Sequence, residues 1–156
     1  MLEIQIPGYK ILQFEHLVLD YNGTLACDGK LIDGVKDRLA ALAVDLNIHV
    51  LTADTFGTVR SQLEGVPCEV SILPPGSQDQ GKLAYIQRLD SEATVCIGNG
   101  RNDRLMLKEA ALGITGVLDE GAAVEAIRAA DVVCTSLNAA LDLLLHPLRL
   151  VATLRS

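Results

Sequence analysis

Polar side chains that could do chemistry follow three short apolar runs of the sequence, residues 17–19, 48–51 and 94–97. They are Asp20, Asn22 and Thr24 after the first run, Thr52 and Asp54 after the second, and Asn99, Asn102 and Asp103 after the third. If the runs are parallel strands, their carboxyl ends meet at one edge of a sheet, where ligands bind. Lys82, at the start of a predicted helix before the third run, can reach the same edge. We therefore expect one shared site.

These residue types match the needs of phosphoryl transfer. A carboxylate such as that of Asp20 can attack phosphorus and form an aspartyl-phosphate. The Thr52 hydroxyl and the Lys82 ammonium can hold phosphoryl oxygens, and Mg²⁺ can bridge carboxylates to them. Taken singly, each residue is more typical of an ordinary role, such as a solvated lysine, a β-branched strand end or a turn. Their order along the chain, with each group at the end of a predicted element, favours the chemical interpretation.

The composition predicts a well-packed α/β protein. Hydrophobic residues make up 49% of the 156 positions and charged residues 21%, which is typical of one compact globular domain over residues 1–156. The apolar content is aliphatic, since Trp is absent and the chain has only two Phe and three Tyr. Such a composition suits a parallel sheet that helices cover on both faces.

Charge and cysteine usage exclude several classes of function. The net charge of −7 disfavours nucleic acid and anionic membranes as partners. The N-terminus lacks the basic start and long apolar core of a signal peptide, and no apolar run approaches the roughly 18 residues of a membrane span. The four cysteines form no C-x-x-C pair, so a zinc site is disfavoured, and reduced thiols fit a cytoplasmic protein.

Strands and helices alternate along the chain. An N-terminal hairpin is predicted over residues 2–6 and 9–14, and further core strands over residues 68–73, 112–114 and 131–134. Helices are predicted over residues 34–46, 55–63, 80–89, 103–110, 122–129 and 137–145. Asp33 is the expected N-cap of the first helix, and the last helix should close the chain before Pro147. The alternation predicts a mainly parallel, three-layer Rossmann-like sheet with right-handed crossovers.

Four motifs resemble those of the haloacid dehalogenase (HAD) superfamily. Asp20-Tyr-Asn-Gly-Thr24 is similar to its motif I, D-x-D-G-T, and Leu51-Thr52 is similar to motif II. Lys82 matches the motif III lysine, and Gly98-Asn-Gly-Arg-Asn-Asp103 resembles motif IV, G-D-G-x-N-D. The resemblance runs from about residue 17 to residue 133. It is strongest to small soluble proteins that are like the phosphorylation domain of P-type ATPases.

The resemblance implies a role for each matched position. Asp20 would be the nucleophile, and the catalytic set would be Asp20, Asn22, Thr52 and Lys82. The phosphate-binding set would be Thr52, Ala53, Lys82 and Asn102. Mg²⁺ would be held by Asp20, the backbone carbonyl of Asn22, Asn99 and Asp103. The implied fold is HAD-like, with the N-terminal hairpin added.

Two positions depart from the family pattern. Asn22 replaces the second Asp of motif I, the usual general acid/base, and Asn99 replaces the usual metal-binding Asp. An amide cannot exchange a proton at neutral pH, so roughly 10²–10⁴-fold in rate would be lost. We expect a slow Mg²⁺-dependent phosphomonoester hydrolase. The alternative is a catalytically silent binding or regulatory protein that keeps the pocket. A receiver-like phosphorylation switch fits less well, since the Gly-Thr turn and the motif IV loop are not its features.

The spacing of the motifs leaves no room for a cap domain. Asp20 and Thr52 are 32 positions apart, and Thr52 and Lys82 are 30 positions apart, so each gap holds one helix or helix–strand unit. A cap-less protein should have an open cleft that takes a large phosphorylated substrate or uses a neighbouring subunit as a lid. The apolar composition and the N-terminal hairpin are compatible with a homo-oligomer, which is a hypothesis, and the sequence does not specify the substrate.

Overall fold

The computed structural model describes residues 1–53 and 58–156. The strands in this part of the chain are β1 Leu2–Ile6, β2 Lys10–Phe14, β3 His16–Asp20, β4 Ala26–Cys27, β5 Lys30–Leu31, β6 Asn47–Thr52, β7 Glu69–Ile72, β8 Thr94–Ile97, β9 Leu112–Gly116 and β10 Val132–Cys134. The helices are α1 Val35–Leu42, α2 Thr58–Gln62, α3 Gln78–Leu89, α4 Arg104–Glu109, α5 Val124–Ala129, α6 Leu137–Leu145 and α7 Pro147–Leu154.

The central sheet has six strands in the order β10-β9-β8-β3-β6-β7, and every pairing in it is parallel. Strand β3 lies in the middle, where Leu19 is paired with Val50 on one side and Ile97 on the other. The carboxyl ends of β3, β6 and β8 therefore lie side by side. The mainly parallel sheet predicted from the sequence is confirmed.

Helices cover both faces of the sheet, as the aliphatic composition predicted. Alternate strand residues point to opposite faces, so Leu17 and Leu19 pack in one core cluster and Val18 in another. The first cluster includes residues of α1, α6, α7 and the β1–β2 hairpin, and the second includes residues of α3, α4 and α5. This arrangement confirms the three-layer fold and the antiparallel N-terminal hairpin.

The segments between the motifs are short in the structure. The chain between β3 and β6 forms the small β4–β5 hairpin and α1, and the described residues between β6 and α3 form α2 and β7. No additional domain occurs in these described segments, so none of the described residues forms a cap domain over the site edge of the sheet.

Several predicted boundaries differ from the observed ones, mainly at helix ends. Asp33 is not the N-cap of α1; Gly34 occupies that position, and α1 ends at Leu42 because the chain must turn there to enter β6. Helix α6 does not close the chain, since Pro147 begins α7. Proline is favoured at a first helical position, where its missing N–H has no intrahelical partner. Helix α3 begins at Gln78, two residues earlier than predicted, so Lys82 lies in its second turn.

The helix predicted over residues 55–63 is observed as α2, Thr58–Gln62, and its predicted first turn lies outside the described residues, as does Asp54. Among the described helices, none is long and apolar enough by itself to cross a membrane. The consecutive helices α6 and α7 pass that test only as a pair bent by 101°.

Candidate active site

Asp20 lies at the end of the central strand β3, and both oxygens of its carboxylate are held. The Lys82 ammonium is 2.8 Å from Oδ1, and the Thr24 hydroxyl is 3.2 Å from Oδ2. Thr24 reaches back to Asp20 because the chain turns at Gly23, whose φ of 78° is a conformation that glycine adopts at little cost. The side chain of Asp20 retains 11% of its exposure, so it is buried but open on one side.

Lys82 connects the strand end of Asp20 to motif IV. Its ammonium nitrogen lies 2.7 Å from Oδ1 of Asp103 and 3.1 Å from Oδ1 of Asn102, in addition to its contact with Asp20. The side chain of Lys82 is 3% exposed and that of Asp103 is fully buried. One buried cation thus lies between two buried carboxylates.

This arrangement leaves an excess negative charge at Asp20. Burial is the main cause that raises the pKa of Asp20 to about 7, with the nearby charge of Asp103 adding to it, and Lys82 and Thr24 oppose the rise. Burial lowers the pKa of the Lys82 ammonium, but Asp20 and Asp103 outweigh that effect and leave it raised. The lysine therefore stays charged, and it cannot neutralise both carboxylates at once.

The motif IV turn is built around the carboxylate of Asp103. Its second oxygen accepts a hydrogen bond from the backbone N–H of Gly100 at 2.9 Å. A Cβ at position 98 would lie 2.5 Å from Cγ of Asp103, so only glycine allows this close approach. Asp103 is predicted as a metal ligand, and in the structure its oxygens contact Lys82 and Gly100.

Asn99 bridges the first motif to a more distant loop. Its Oδ1 accepts a hydrogen bond from the Thr24 hydroxyl at 3.0 Å, and its Nδ2 donates one to the backbone oxygen of Gly121 at 2.9 Å. A carboxylate could not donate to that carbonyl, so the asparagine is fitted to its surroundings in this chain.

The oxygen atoms in this region fit a hard divalent cation. Asp20 Oδ2 and Asn99 Oδ1 both lie within 3.2 Å of the same hydroxyl, that of Thr24, so a carboxylate and an amide oxygen lie near each other. Oxygen donors of this kind suit Mg²⁺ better than zinc. Asn99 and Asp20, with the Asn22 carbonyl that the motif resemblance adds, are the residues that could hold it.

The second motif lies on the other side of Asp20. Thr52 is buried at the end of β6, and its hydroxyl is 3.5 Å from Nδ2 of Asn22, a long contact at the limit of a hydrogen bond. Asn22 and Ala53 are exposed toward the cleft. The structure thus brings together all of the described residues that were predicted for the site, while their roles stay predictions.

An open cleft of about 590 Å³ runs outward from Asp20. The lining residues are Asp20, Asn22, Ala53, Gly76, Gln78, Asp79, Gly100, Arg101, Asn102 and Arg104. The four motifs did not point to Arg101, Arg104 or the residues at the start of α3. Arg101 occupies the variable position of motif IV, which is the one signal in the sequence that could have pointed to it.

Comparison with known proteins gives two sequence relatives and a set of solved structures with one shared fold. No protein-family model matches the chain. An uncharacterized protein of Methanocaldococcus jannaschii is 45% identical over 84 residues, which is 51% of this chain and 90% of that protein.

Several solved structures share the architecture. A candidate HAD family hydrolase from Streptomyces avermitilis superposes with a TM-score of 0.65 at 19% identity, covering 83% of this chain and 81% of that one. The cobalt-bound deoxy-D-mannose-octulosonate 8-phosphate phosphatase of Haemophilus influenzae gives a TM-score of 0.70 at 13% identity, covering 92% and 94%. The chain has the HAD-superfamily fold. The resemblance predicted from the four motifs is confirmed.

A third HAD-fold structure carries ligands. The 3-deoxy-D-manno-octulosonate 8-phosphate phosphatase of Moraxella catarrhalis, in complex with magnesium, phosphate and the sugar acid KDO, gives a TM-score of 0.66 at 17% identity. It covers 91% of this chain and 94% of that one. At such identities the likeness establishes the HAD fold of this chain, and its chemistry has to be argued from its own residues.

Proposed function

We propose that this chain is a phosphotransferase or phosphomonoester hydrolase that works through an aspartyl-phosphate on Asp20 and depends on a divalent metal, most simply Mg²⁺. The observation that carries the proposal is the position of Asp20. Its carboxylate lies at the floor of an open cleft and is fixed by Lys82 at 2.8 Å and Thr24 at 3.2 Å. A HAD-fold phosphatase was solved with magnesium and phosphate, which supports the same chemistry here.

In the first step, a carboxylate oxygen of Asp20 forms a bond to phosphorus while the bond from phosphorus to the leaving oxygen breaks. Lys82 contacts Asp20 and Asn102, and Thr52 contacts Asn22 beside them; these three residues, Thr52, Lys82 and Asn102, would hold the oxygens of the transferred phosphoryl group. In the second step, water attacks the aspartyl-phosphate, phosphate leaves with the water oxygen, and Asp20 is regenerated. The proton of the attacking water passes to the departing phosphate or to solvent.

The residues predict which half of the reaction is slow. At position 22 an amide replaces a carboxylic acid, so no side chain there can protonate a poor leaving group or take a proton from the attacking water. A substrate with a good leaving group, such as an acyl phosphate, does not need that proton. We therefore expect phosphorylation of Asp20 to be faster than hydrolysis of the phospho-enzyme.

A cation held by Asp20 and Asn99 would offset the excess negative charge at Asp20 and keep this carboxylate ionised for attack. Without such a cation, burial and the charge of Asp103 raise the pKa of Asp20 and favour its protonated form, which is a poor nucleophile. Asn99 supplies one charge less than the usual aspartate, so we expect a weaker affinity for the metal than in HAD proteins that keep the acid.

The remaining expectations extend the same proposal. The substrate would be a phosphorylated molecule that enters an open cleft, with no nucleic acid or membrane as partner, and the protein would act in the cytoplasm. Because no described segment of this chain covers the cleft, a second copy could serve as a lid, so a homo-oligomer remains part of the proposal.

The direct test is the mass of the intact protein after incubation with acetyl phosphate and Mg²⁺, followed by assay of released phosphate. Wild type should gain one phosphoryl group and Asp20→Asn should not. An adduct that turns over marks a hydrolase, and an adduct that persists marks a transferase or a stalled enzyme. If no adduct forms and no phosphate is released, the proposal is overturned.

The asparagines at positions 22 and 99 favour one alternative, a silent pocket that binds phosphate or metal without turnover. The variant Asn22→Asp separates the two functions. In a slow enzyme it should raise phosphate release by up to about 10²–10⁴-fold. In a silent pocket it should leave release at the level of Asp20→Asn, while binding of inorganic phosphate is retained.

A further inference from the structure

Two arginines and the acid Asp79 line the outer part of the cleft, and phosphoryl transfer at Asp20 does not account for the arginines. Arg101 and Arg104 line one wall, and Gly76 and Gln78, at the start of α3, line another. The chain as a whole has a net charge of −7, so it attracts no anion in general. The two arginines at the opening of the cleft therefore contrast with the negative net charge of the chain.

Arg104 is held in place by its neighbours. Its Nη2 is 2.9 Å from Oδ2 of Asp79, and its Nη1 donates to the backbone oxygen of Arg101 at 3.0 Å. The side chain is 28% exposed, so it is partly enclosed and still open to the cleft. A guanidinium has five N–H donors in a rigid fork, and these two contacts leave donors for a ligand. A fixed arginine binds with less loss of side-chain entropy than a mobile one.

Arg101 is much less constrained. Its Nε lies 3.5 Å from Oε1 of Glu125, and the two side chains are 70% and 49% exposed. An ion pair this exposed contributes little, so a ligand in the cleft can draw Arg101 away from Glu125. Arg101 follows Gly100 and precedes Asn102, whose Oδ1 accepts from Lys82, so it stands one residue from the groups that surround the phosphoryl position.

The amino end of α3 adds to the field of the two arginines. Helix α3 has 12 residues, and its first turn opens on the cleft, where the helix dipole favours an anion. Asp79 in that turn is negative, but its carboxylate is paired with Arg104 and accepts the N–H of Gln80 at 2.8 Å. The charge of Lys82, by contrast, is already divided between Asp20 and Asp103. Lys82 is therefore not available to bind an anion farther out.

We propose that Arg101 and Arg104, together with the first turn of α3, form a subsite for a second anionic group of the substrate. The substrate class would be a phosphomonoester that carries a further carboxylate or phosphate. Its transferred phosphoryl group lies against Asp20 and its second anion lies between the arginines and α3. This inference rests on the proposed function for the reacting end of the molecule, and the binding contacts themselves are separate from it.

The kinetic test uses three matched compounds: propyl phosphate and its analogues that end in a carboxylate or in a second phosphate. Wild type should show a higher kcat/KM for the two compounds that carry a second anionic group. Arg101→Gln and Arg104→Gln should each lower kcat/KM for them by about 10- to 100-fold, mainly through KM, while propyl phosphate is little affected. The control Arg128→Gln removes the same charge from an exposed position of α5 outside the cleft and should change neither. The preferred analogue distinguishes a carboxylate from a phosphate.

A binding test keeps the subsite separate from catalysis. Calorimetry would compare propylphosphonate with its carboxylate-ended analogue, neither of which can be hydrolysed, on wild type and Arg101→Gln. If the carboxylate-ended probe binds more tightly than propylphosphonate and Arg101→Gln removes that difference, the subsite is supported, even if acetyl phosphate gives no adduct and the proposed reaction fails. An adduct on Asp20 with equal affinities for the two probes would overturn the subsite and leave the reaction intact. Arg101 is exposed, so its substitution should not disturb folding.

Discussion

Two polar networks lie on the same sheet, a buried one at the carboxyl ends of the strands and a part-buried one near their amino ends. The first joins Asp20, Lys82 and Asp103 through contacts of 2.8 and 2.7 Å. The second is a chain of hydrogen bonds in which His49 contacts His16 at 3.2 Å and the Tyr85 hydroxyl at 2.9 Å. Both networks contact helix α3, which supplies Lys82 to one and Tyr85 to the other.

Burial shifts the pKa of the central group in opposite directions in the two networks. At Asp20, burial and the charge of Asp103 raise the pKa of a carboxyl group. At His49, burial and the neighbouring His16 lower the pKa of an imidazole, with only Glu69 opposing them. The first network keeps ions in the interior beside an open cleft. The second favours a neutral ring that uses both nitrogens in hydrogen bonds. A buried carboxylate with a shifted pKa beside a cleft is typical of a functional site. A neutral network whose polar atoms are hydrogen-bonded is typical of a structural role.

The largest expected effect is the loss of phosphoryl transfer, which should follow a substitution in the first network and not in the second. Asp20→Asn should abolish the acetyl-phosphate adduct and lower any turnover by more than about 10⁴-fold, because it removes the nucleophile. Substitution of Tyr85 should leave the adduct in place. Intact-protein mass gives both results, and Asp45→Asn, an exposed acid outside the cleft, is the charge-matched control. Loss of the adduct in the Tyr85 variant would remove the functional distinction between the two networks.

The next largest effect is on stability. Lys82→Met leaves Asp20 and Asp103 buried without their cation and should lower the free energy of unfolding by about 3–5 kcal/mol. Urea denaturation measures it. The double variant Lys82→Met/Asp103→Asn removes one of the stranded carboxylates and should recover part of the loss. If the double variant is no more stable than the single one, repulsion between the carboxylates is not the cause.

The pH dependence of stability should have opposite signs in the two networks, and Asp20 should show the stronger trend. Its pKa rises from the model-compound value of 3.8 to about 7, so the folded state binds more protons than the unfolded state within that window. In metal-free buffer its contribution to stability therefore decreases as pH rises from about 4 to 7. Denaturation at several pH values with a chelator should show this slope, and Asp20→Asn should remove it. Added Mg²⁺ should reduce it, since the metal competes with the proton.

His49 should show the reverse trend. Its pKa lies below the ordinary value of 6.5, so the unfolded state binds more protons than the folded state just below that pH. Its contribution is therefore present above pH 6.5 and is lost as the pH falls through the window toward the lowered pKa. Comparison of the free energy of unfolding of wild type and His49→Gln between pH 5 and 7 isolates the contribution of this histidine. A slope unchanged by the substitution would show that this histidine carries no such linkage.

The smallest effect tests whether the second network is structural alone. Tyr85→Phe removes the hydroxyl that meets His49 and Ser71 while it keeps the ring against the core, so a loss of about 1 kcal/mol is expected. The kinetics with acetyl phosphate should not change. A change in kcat without a change in stability would indicate that the substitution affects the Asp20 network through α3.

Much of the fold was readable from the chain because local patterns agree with the final structure. The run of residues 94–97 is a fully buried strand with the predicted bounds, and residues 137–145 form α6 as predicted. The failures lie at helix ends. At Asp33 and Pro147 a residue type with two ordinary uses was assigned the wrong one, since a cap or a break depends on where the neighbouring elements pack.

The sequence by itself determined the chemistry that is available at Asp20. Residue types and their order along the chain identified a carboxylate, a lysine and an asparagine-rich turn at strand ends, and a parallel sheet brings such ends together whatever the details of packing. It also determined that Asn22 cannot exchange a proton. These are properties of covalent structure and of strand direction, so they need no coordinates.

Only the tertiary structure decided how the charges are shared and what else faces the cleft. That Lys82 lies between two buried carboxylates depends on distances of 2.7 and 2.8 Å, which α3 and motif IV set by packing against the sheet from separate parts of the chain. The pairing of Arg104 with Asp79 joins positions 25 residues apart for the same reason. Coulomb and desolvation energies depend on distance and burial, and these quantities exist only once the chain is folded.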